Sequence, residues 1–230
     1  MLKRKQSSDG ITTLIARSNP KSVIAEQYRT IRTNIQFASI DRNTKTIMVT
    51  SPGPGEGKTM TAANLAVVFA QQGKKVLIVD ADMRKPALHL RFRKTNEQGL
   101  SNILAGNQTL QESVYETGMN QLDLLTCGPI PPNPSELLGS KAMEEFIEEA
   151  KENYDLVIFD TSPVLAVSDA QVLGGFCEGT ILVLRSKFTE YRATQKTIDL
   201  LKSVNTKLLG TILNDREKKN SNFYYYAKKK

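Results

Sequence analysis

Residues 47–61 read IMVTSPGPGEGKTMT, and the rest of the 230-residue chain is best read outward from them. Ile47, Met48, Val49 and Thr50 form a short apolar and β-branched run that passes into a loop dense in Gly and Pro. Gly57, Lys58 and Thr59 then lead into TAANLAVVFAQQ, a segment of helical composition. Strand, glycine loop and helix N-terminus, in that order, suit a phosphate chain. The N–H groups of Gly53, Gly55 and Gly57 can approach an anion because no Cβ shields them, and the helix dipole favours negative charge at its first turn. Lys58 would bring a point charge to the β- and γ-phosphates, and the Thr59 hydroxyl is a ligand for Mg²⁺. The expected cradle is therefore Gly53, Pro54, Gly55, Glu56, Gly57, Lys58, Thr59 and Met60. The usual spacing, G-x-x-x-x-G-K-[ST], puts its first glycine at position 52, which here is Pro52. The plainer alternative is a Gly/Pro turn ahead of an ordinary helix.

Downstream, VLIVDADMRKP (76–86) repeats the signature of a strand buried on both faces, with Asp80 and Asp82 at its carboxyl end. Side chains two apart on extended chain face the same way, and ligand crevices of open α/β sheets lie at the carboxyl ends of strands. Two carboxylates there can serve Mg²⁺ and a hydroxyl awaiting deprotonation; the alternative is that both cap the next turn. DLVIFD (155–160) ends a third apolar run on Asp160, the place where P-loop proteins hold Mg²⁺. TILVL (180–184) and LLGTIL (208–213) read as two more buried strands around a helix from about 189 to 204. Asn214, at the end of the last of them, is placed to meet the base of a nucleotide.

These alternations predict an α/β fold of the P-loop NTPase type: one domain, a mostly parallel central sheet, helices on its flanks. Residues 22–214 form that domain. Residues 1–21, polar and ending in Asn19-Pro20, read as an extended arm, and 215–230 as a flexible tail. Between 84 and 120 the pattern is weak, with short helices expected near 101–105 and 109–115 and a strand at 122–126. CGPIPPNPSELL (127–138) reads as a proline-rich loop, followed by a helix to about residue 153 whose glutamates form a solvated flank.

Composition narrows the function classes. No run of apolar residues is long enough for a membrane span and the N-terminus lacks a signal-peptide core, so a cytoplasmic location is expected. Cys127 and Cys177 lack metal-ligand spacing and read as core thiols; the single histidine, His89, reads as a surface or supporting residue. Residues 1–17 carry Lys3, Arg4, Lys5 and Arg17 against Asp9, or +3; residues 215–230 carry six basic against two acidic side chains, or +4. With +7 overall, the body between them is neutral, which argues against a nucleic-acid groove reader. Basic arms suit anionic lipid or an acidic protein surface instead. A helix is expected over 22–39, with Ile24, Tyr28, Ile31, Ile35 and Ala38 as its apolar face and Ser22 as N-cap. Beside that face, Glu26, Arg29 and Arg32 recur every three residues, a spacing that on its own favours a solvated flank with an ion pair. In the tail, Phe223 precedes Tyr224, Tyr225 and Tyr226, either an interfacial anchor or a substrate segment.

Together these motifs resemble the bacterial tyrosine autokinases of polysaccharide export, in the Gram-positive form whose cytoplasmic kinase works with a separate membrane activator. PGEGKT resembles that family's Walker A, VLIVDADMRKP its Walker A′, DLVIFD its Walker B, EQYRTIRTN its oligomerisation motif and FYYY its tyrosine cluster, so the likeness spans essentially the whole chain. The resemblance implies ATP and Mg²⁺ as cofactors, Lys58 on the phosphates, Thr59, Asp82 and Asp160 on Mg²⁺, and Asp80 as the base. Tyr224, Tyr225 and Tyr226 become phosphoacceptors, and Glu26, Arg29 and Arg32 join subunits into a ring, an octamer in this family. It further implies a cognate tyrosine phosphatase, other protein substrates, and recruitment to the inner face of the membrane by the activator. Pro52 and the compact tyrosine cluster depart from the pattern. The rival class is a partitioning or positioning ATPase of the same superfamily, whose signature lysine would stand where this chain has Gly53; a non-catalytic nucleotide-dependent scaffold is a third.

Overall fold

All five residues of β1 (Thr46–Thr50) are buried, and its neighbours explain why. It pairs in parallel with β5 (Leu156–Asp160) on one side and with β6 (Gly179–Arg185) on the other. Beyond β5 lie β2 (Val76–Asp80), β4 (Leu122–Leu125) and β3 (Val114–Met119), and beyond β6 lies β7 (Leu208–Asn214). The order is β3-β4-β2-β5-β1-β6-β7, parallel throughout except for β3 on β4. The computed structural model describes residues 13–38, 44–204 and 206–217.

Alternation along the central strands sends side chains to two cores. Ile47, Val49, Ile78 and Ile158 face α3 (Lys58–Ala70), with Leu88 and Phe92 of α4 (Leu88–Phe92) in the same cluster. Met48, Leu77, Val79 and Phe159 face the opposite layer. That layer comprises α5 (Leu100–Leu104), α6 (Leu110–Ser113), α7 (Pro134–Leu138), α8 (Lys141–Asn153), α9 (Asp169–Gly174) and α10 (Tyr191–Ser203). Ten consecutive residues of α3, Thr61 to Ala70, are buried, because its outer side is covered by α1 (Ile15–Ser18) and α2 (Val23–Ala38). The P-loop helix is thus held on every side, which fixes the loop at its head.

Several expectations are corrected. Residues 13–18 do not form an extended arm: Leu14 and Ala16 are buried, and the Ala16 N–H donates to Asn64 Oδ1 of α3 at 2.9 Å. A four-residue helix leaves no periodicity to read; its docking is tertiary. On α2 the buried residues are Ala25 and Ile35, with Tyr28 and Ile31 half-buried, whereas Ile24 and Ala38 are exposed; the Ser22 cap is present. Tyr115 belongs to β3, not to a helix, and α7 begins inside the proline-rich loop because Pro134 occupies its first turn, where no N–H is needed. β7 is an edge strand, half exposed, although its apolar run resembles the buried ones.

Candidate active site

The carboxyl ends of β1, β2, β5, β6 and β7 share one edge of the sheet, and there the loop after β1 turns into α3. Gly55 and Gly57 adopt φ of 77° and 93°, a region that non-glycine residues rarely enter. Gly57 is also crowded: a Cβ there would collide with the Asn214 amide. Asn214 Nδ2 donates to the Glu56 carbonyl at 2.9 Å, so the end of β7 clamps the loop from the side. The sequence assigned Asn214 to a nucleotide base; the contact it makes here is with the loop itself.

The Lys58 ammonium lies 2.8 Å from Asp82 Oδ2 and 3.6 Å from Asp160 Oδ1. Burial alone would pull its pKa down, but Asp160 and Asp82 outweigh burial and leave it above the ordinary lysine value. Asp80 and Asp160 are register partners on β2 and β5, and both are fully buried. Burial, and then the charge of Asp160, push the Asp80 carboxyl up to about 8 against the opposing bonds from Leu88 and Ala87. Asp80 Oδ2 accepts the N–H groups of Ala87 and Leu88, each at 2.9 Å, and Oδ1 accepts the Asp82 N–H at 3.3 Å. Asp82 Oδ1 accepts the Lys85 N–H. Both carboxylates therefore do cap the next turn, as the alternative reading had it, while Asp82 also holds Lys58. They do not project in parallel from one strand: β2 ends at Asp80, and the chain turns so that Asp82 bonds back to it.

Asp160 differs from its neighbours. Neither of its buried oxygens has a hydrogen bond of ordinary geometry, although Thr59 and Lys58 lie close enough to oppose the rise that burial imposes on its pKa. With Lys58 at 3.6 Å but no hydrogen bond of ordinary geometry, this buried carboxylate is only partly compensated and would be stabilised by a further cation. The donor set, carboxylate oxygens and a hydroxyl, suits a hard cation. Among the described residues no three His, Cys, Asp or Glu side chains gather into a complete metal cage.

Sequence reading missed three supports of this edge. The Glu56 side chain turns inward and Oε1 accepts from Thr189 Oγ1 at 2.9 Å, with burial raising its pKa. Arg185, at the end of β6, reaches the Gly55 carbonyl at 3.5 Å, pairs with Asp215 at 2.9 Å and lies over the Phe188 ring. Arg84, two residues past Asp82, makes two bonds to the fully buried Asp169 of α9, at 2.8 and 3.0 Å, and Ser135 Oγ of α7 donates to the same carboxylate at 2.9 Å. Only Arg84, inside the RKP segment, had a signal in the sequence; its partners are 51 and 85 residues away.

The other candidate residues lie elsewhere or outside the described residues. Arg29 pairs with Glu26 at 2.7 Å and donates to the Pro20 carbonyl, while Arg32 donates to the Val68 carbonyl of α3 at 2.7 Å. Cys127 and Cys177 are free and buried, as read. Tyr224, Tyr225 and Tyr226 lie outside the described residues. No described helix is long and apolar enough to cross a membrane.

Residues 44–210 match the AAA domain family. Over 229 residues the chain is 51% identical to the tyrosine-protein kinase YwqD of Bacillus subtilis (strain 168), covering 99% of this chain and 97% of that one. The crystal structure of the chimerical protein CapA2B2 is 45% identical with a TM-score of 0.86, covering 89% of this chain and 90% of that one. The kinase domain of Escherichia coli tyrosine kinase ETK is 36% identical with a TM-score of 0.87, covering 96% and 86% respectively. With its P-loop, the aspartates Asp80, Asp82 and Asp160 beside it and relatives of this closeness, the chain belongs to the bacterial tyrosine-protein kinases.

Proposed function

We propose that this chain transfers the γ-phosphoryl group of ATP to Tyr224, Tyr225 and Tyr226 of a neighbouring copy, and that the reaction regulates capsular or exopolysaccharide synthesis and export. The observation that carries the reading is a fully buried Asp160 without hydrogen bonds of ordinary geometry, 3.6 Å from a Lys58 held between carboxylates at the head of the phosphate loop. Such transfer needs little from the protein beyond positioning and charge stabilisation. Gly53 to Met60 would cradle the phosphates through backbone N–H groups, and Lys58 would exchange Asp82 for the β- and γ-oxygens. Thr59, Asp82 and Asp160 are the residues that would hold Mg²⁺, which supplies charge neutralisation on the phosphates when bound.

Asp80 is the proposed acceptor of the tyrosine proton. Burial and the neighbouring Asp160 raise its basicity above that of an ordinary carboxylate, which favours proton acceptance whenever it stands ionised. Its oxygens are taken up by the N–H groups of Asp82, Ala87 and Leu88, so proton acceptance requires the 81–87 turn to open. Asn214 would then place the base, through the same amide that now holds Glu56.

Copies would meet through Glu26, Arg29 and Arg32 in a ring. Arg32 is already engaged with Val68, which leaves Glu26, with 68% of its side chain exposed, as the residue freest to contact a neighbour. A membrane-embedded activator recruiting the chain to the inner membrane face, a cognate phosphatase and other protein substrates complete the reading. Gly53 at the signature-lysine position weighs against the positioning-ATPase alternative. Incubation of the purified chain with ATP·Mg, followed by mapping of phosphorylated residues, tests the proposal. Phosphate should appear on the tail tyrosines and vanish in Lys58→Met; its absence from the wild type, or its persistence in the variant, would overturn it.

A further inference from the structure

Four tyrosines lie among the described residues, Tyr28, Tyr115, Tyr154 and Tyr191, and three of them are held. Tyr28 packs against the α3 core and its hydroxyl meets Thr61. The Tyr115 hydroxyl shares a hydrogen bond with Thr95 Oγ1 at 3.1 Å, and its ring lies under Lys94. Tyr154 is 6% exposed, donates to Asp123 Oδ2 at 3.0 Å and has Lys75 over its ring. Tyr191 is 81% exposed, and its side chain makes no hydrogen bond or ring contact among the described residues.

A lone exposed aromatic is common on protein surfaces and by itself calls for no explanation. Here it stands on a protein whose proposed reaction consumes tyrosine hydroxyls, so the contrast with the held tyrosines has chemical meaning. Presenting Tyr154 to another molecule would require unburying its ring and breaking its bond to Asp123. Presenting Tyr191 requires neither. It is the first residue of α10, separated from the turn 186–189 only by the N-cap Glu190. Helix ends open at low free energy, so this residue can adopt the extended backbone that a catalytic cleft demands. The product is also tolerable there, since Arg192 is exposed and makes no ion pair, and the α10 N-terminus offsets negative charge against the neighbouring Glu190.

We propose that Tyr191 is a further phosphoacceptor, modified by a second copy of the chain; this rests on the tyrosine-kinase reading above. Its Oη attacks the γ-phosphorus of ATP, the bond from that phosphorus to the bridging oxygen breaks with its electron pair leaving on ADP, and the hydroxyl proton passes to the neighbour's carboxylate. The product adds a charge of roughly −1.5 to −2 to the turn that carries Thr189, whose hydroxyl bonds Glu56 of the phosphate loop.

The test mixes wild-type donor with an isotope-labelled acceptor carrying Lys58→Met together with Tyr224→Phe, Tyr225→Phe and Tyr226→Phe, in ATP·Mg, and maps phosphate on each by mass. Phosphate is expected on the donor tail and on acceptor Tyr191, and it should disappear from the acceptor when Tyr191→Phe is added. The donor tail serves as the internal control for kinase activity. A labelled donor tail with Tyr191 of the acceptor unmodified would overturn this proposal and leave the kinase reading standing. Phosphotyrosine on neither protein would overturn both.

Discussion

The two ends of the central sheet carry similar residues and use them differently. At the amino end, Gln36, Lys45, Gln72, Gly73, Lys74 and Asp155 line a cleft of about 390 Å³. Its charges have ordinary partners: Lys45 Nζ donates to the Lys151 carbonyl at 2.8 Å, and Asp155 accepts the Lys75 N–H at 2.8 Å. At the carboxyl end, Asp80, Asp82 and Asp160 are buried, Lys58 is half-buried between Asp82 and Asp160, and Asp160 lacks a hydrogen bond of ordinary geometry. Exposed pairs are worth about 0–1 kcal/mol, whereas a buried charge without full compensation costs several. The carboxyl end is therefore set apart by charge that is buried and incompletely satisfied, whereas the amino-end cleft is lined by groups in ordinary contacts.

The largest expected effect breaks the carboxyl end outright. Lys58→Met should lower phosphotyrosine formation by about three orders of magnitude, as loss of a transition-state charge does, while the folded state survives. Lys74→Met at the amino end should change neither activity nor melting temperature, and equal losses in both variants would erase the contrast.

Asp80 and Asp82 sharpen it. Asp82→Ala should weaken Mg²⁺-dependent nucleotide binding by about tenfold or more, whereas Asp80→Ala should bind nucleotide and transfer roughly 10²–10⁴-fold more slowly. Equal binding losses in calorimetric titration would refute that division of roles.

A third prediction concerns pH. Asp80 has a folded-state pKa of about 8 against about 3.9 unfolded, so its contribution to stability is fully present below about pH 4 and is lost as pH rises through 8. In Mg²⁺-free buffer the wild type should lose stability between pH 5 and 8 more steeply than Asp80→Asn. Parallel denaturation profiles for the two would contradict the burial argument.

The smallest effect lies at the Arg84 pair. Arg84→Ala leaves Asp169 buried with only Ser135, and should cost about 1–3 kcal/mol in urea denaturation. Asp155→Ala at the amino end should cost less than about 1 kcal/mol. A reversed order would show that burial does not set these costs.

What could be read from sequence follows the range of the interactions. The loop at 51–57 and the aspartates at strand ends were legible because strand, loop and helix are contiguous in the chain, and the apolar runs leading to Asp80 and Asp160 are both-face-buried strands. The docking of residues 13–18 was not, since it rests on Asn64 of α3, 48 residues away from Ala16. β7 misled because an apolar run reads the same at an edge as in the middle of a sheet. The region 84–120 is built of helices of four or five residues and an antiparallel edge strand, too short for any periodicity to register. Thr189 under Glu56 and Asp169 against Arg84 are long-range pairs with no local trace.

On this reading the buried carboxylate of Asp160, only partly compensated by Lys58, meets Mg²⁺ bound with the nucleotide phosphates. The direct test is calorimetric titration of ATP into Asp160→Asn and wild type, each with and without Mg²⁺. The substitution keeps shape and removes charge. The Mg²⁺-dependent gain in affinity should fall by at least about tenfold in the variant, with Mg²⁺-free binding retained. The same Mg²⁺ gain in both proteins would show that Asp160 does not hold the metal.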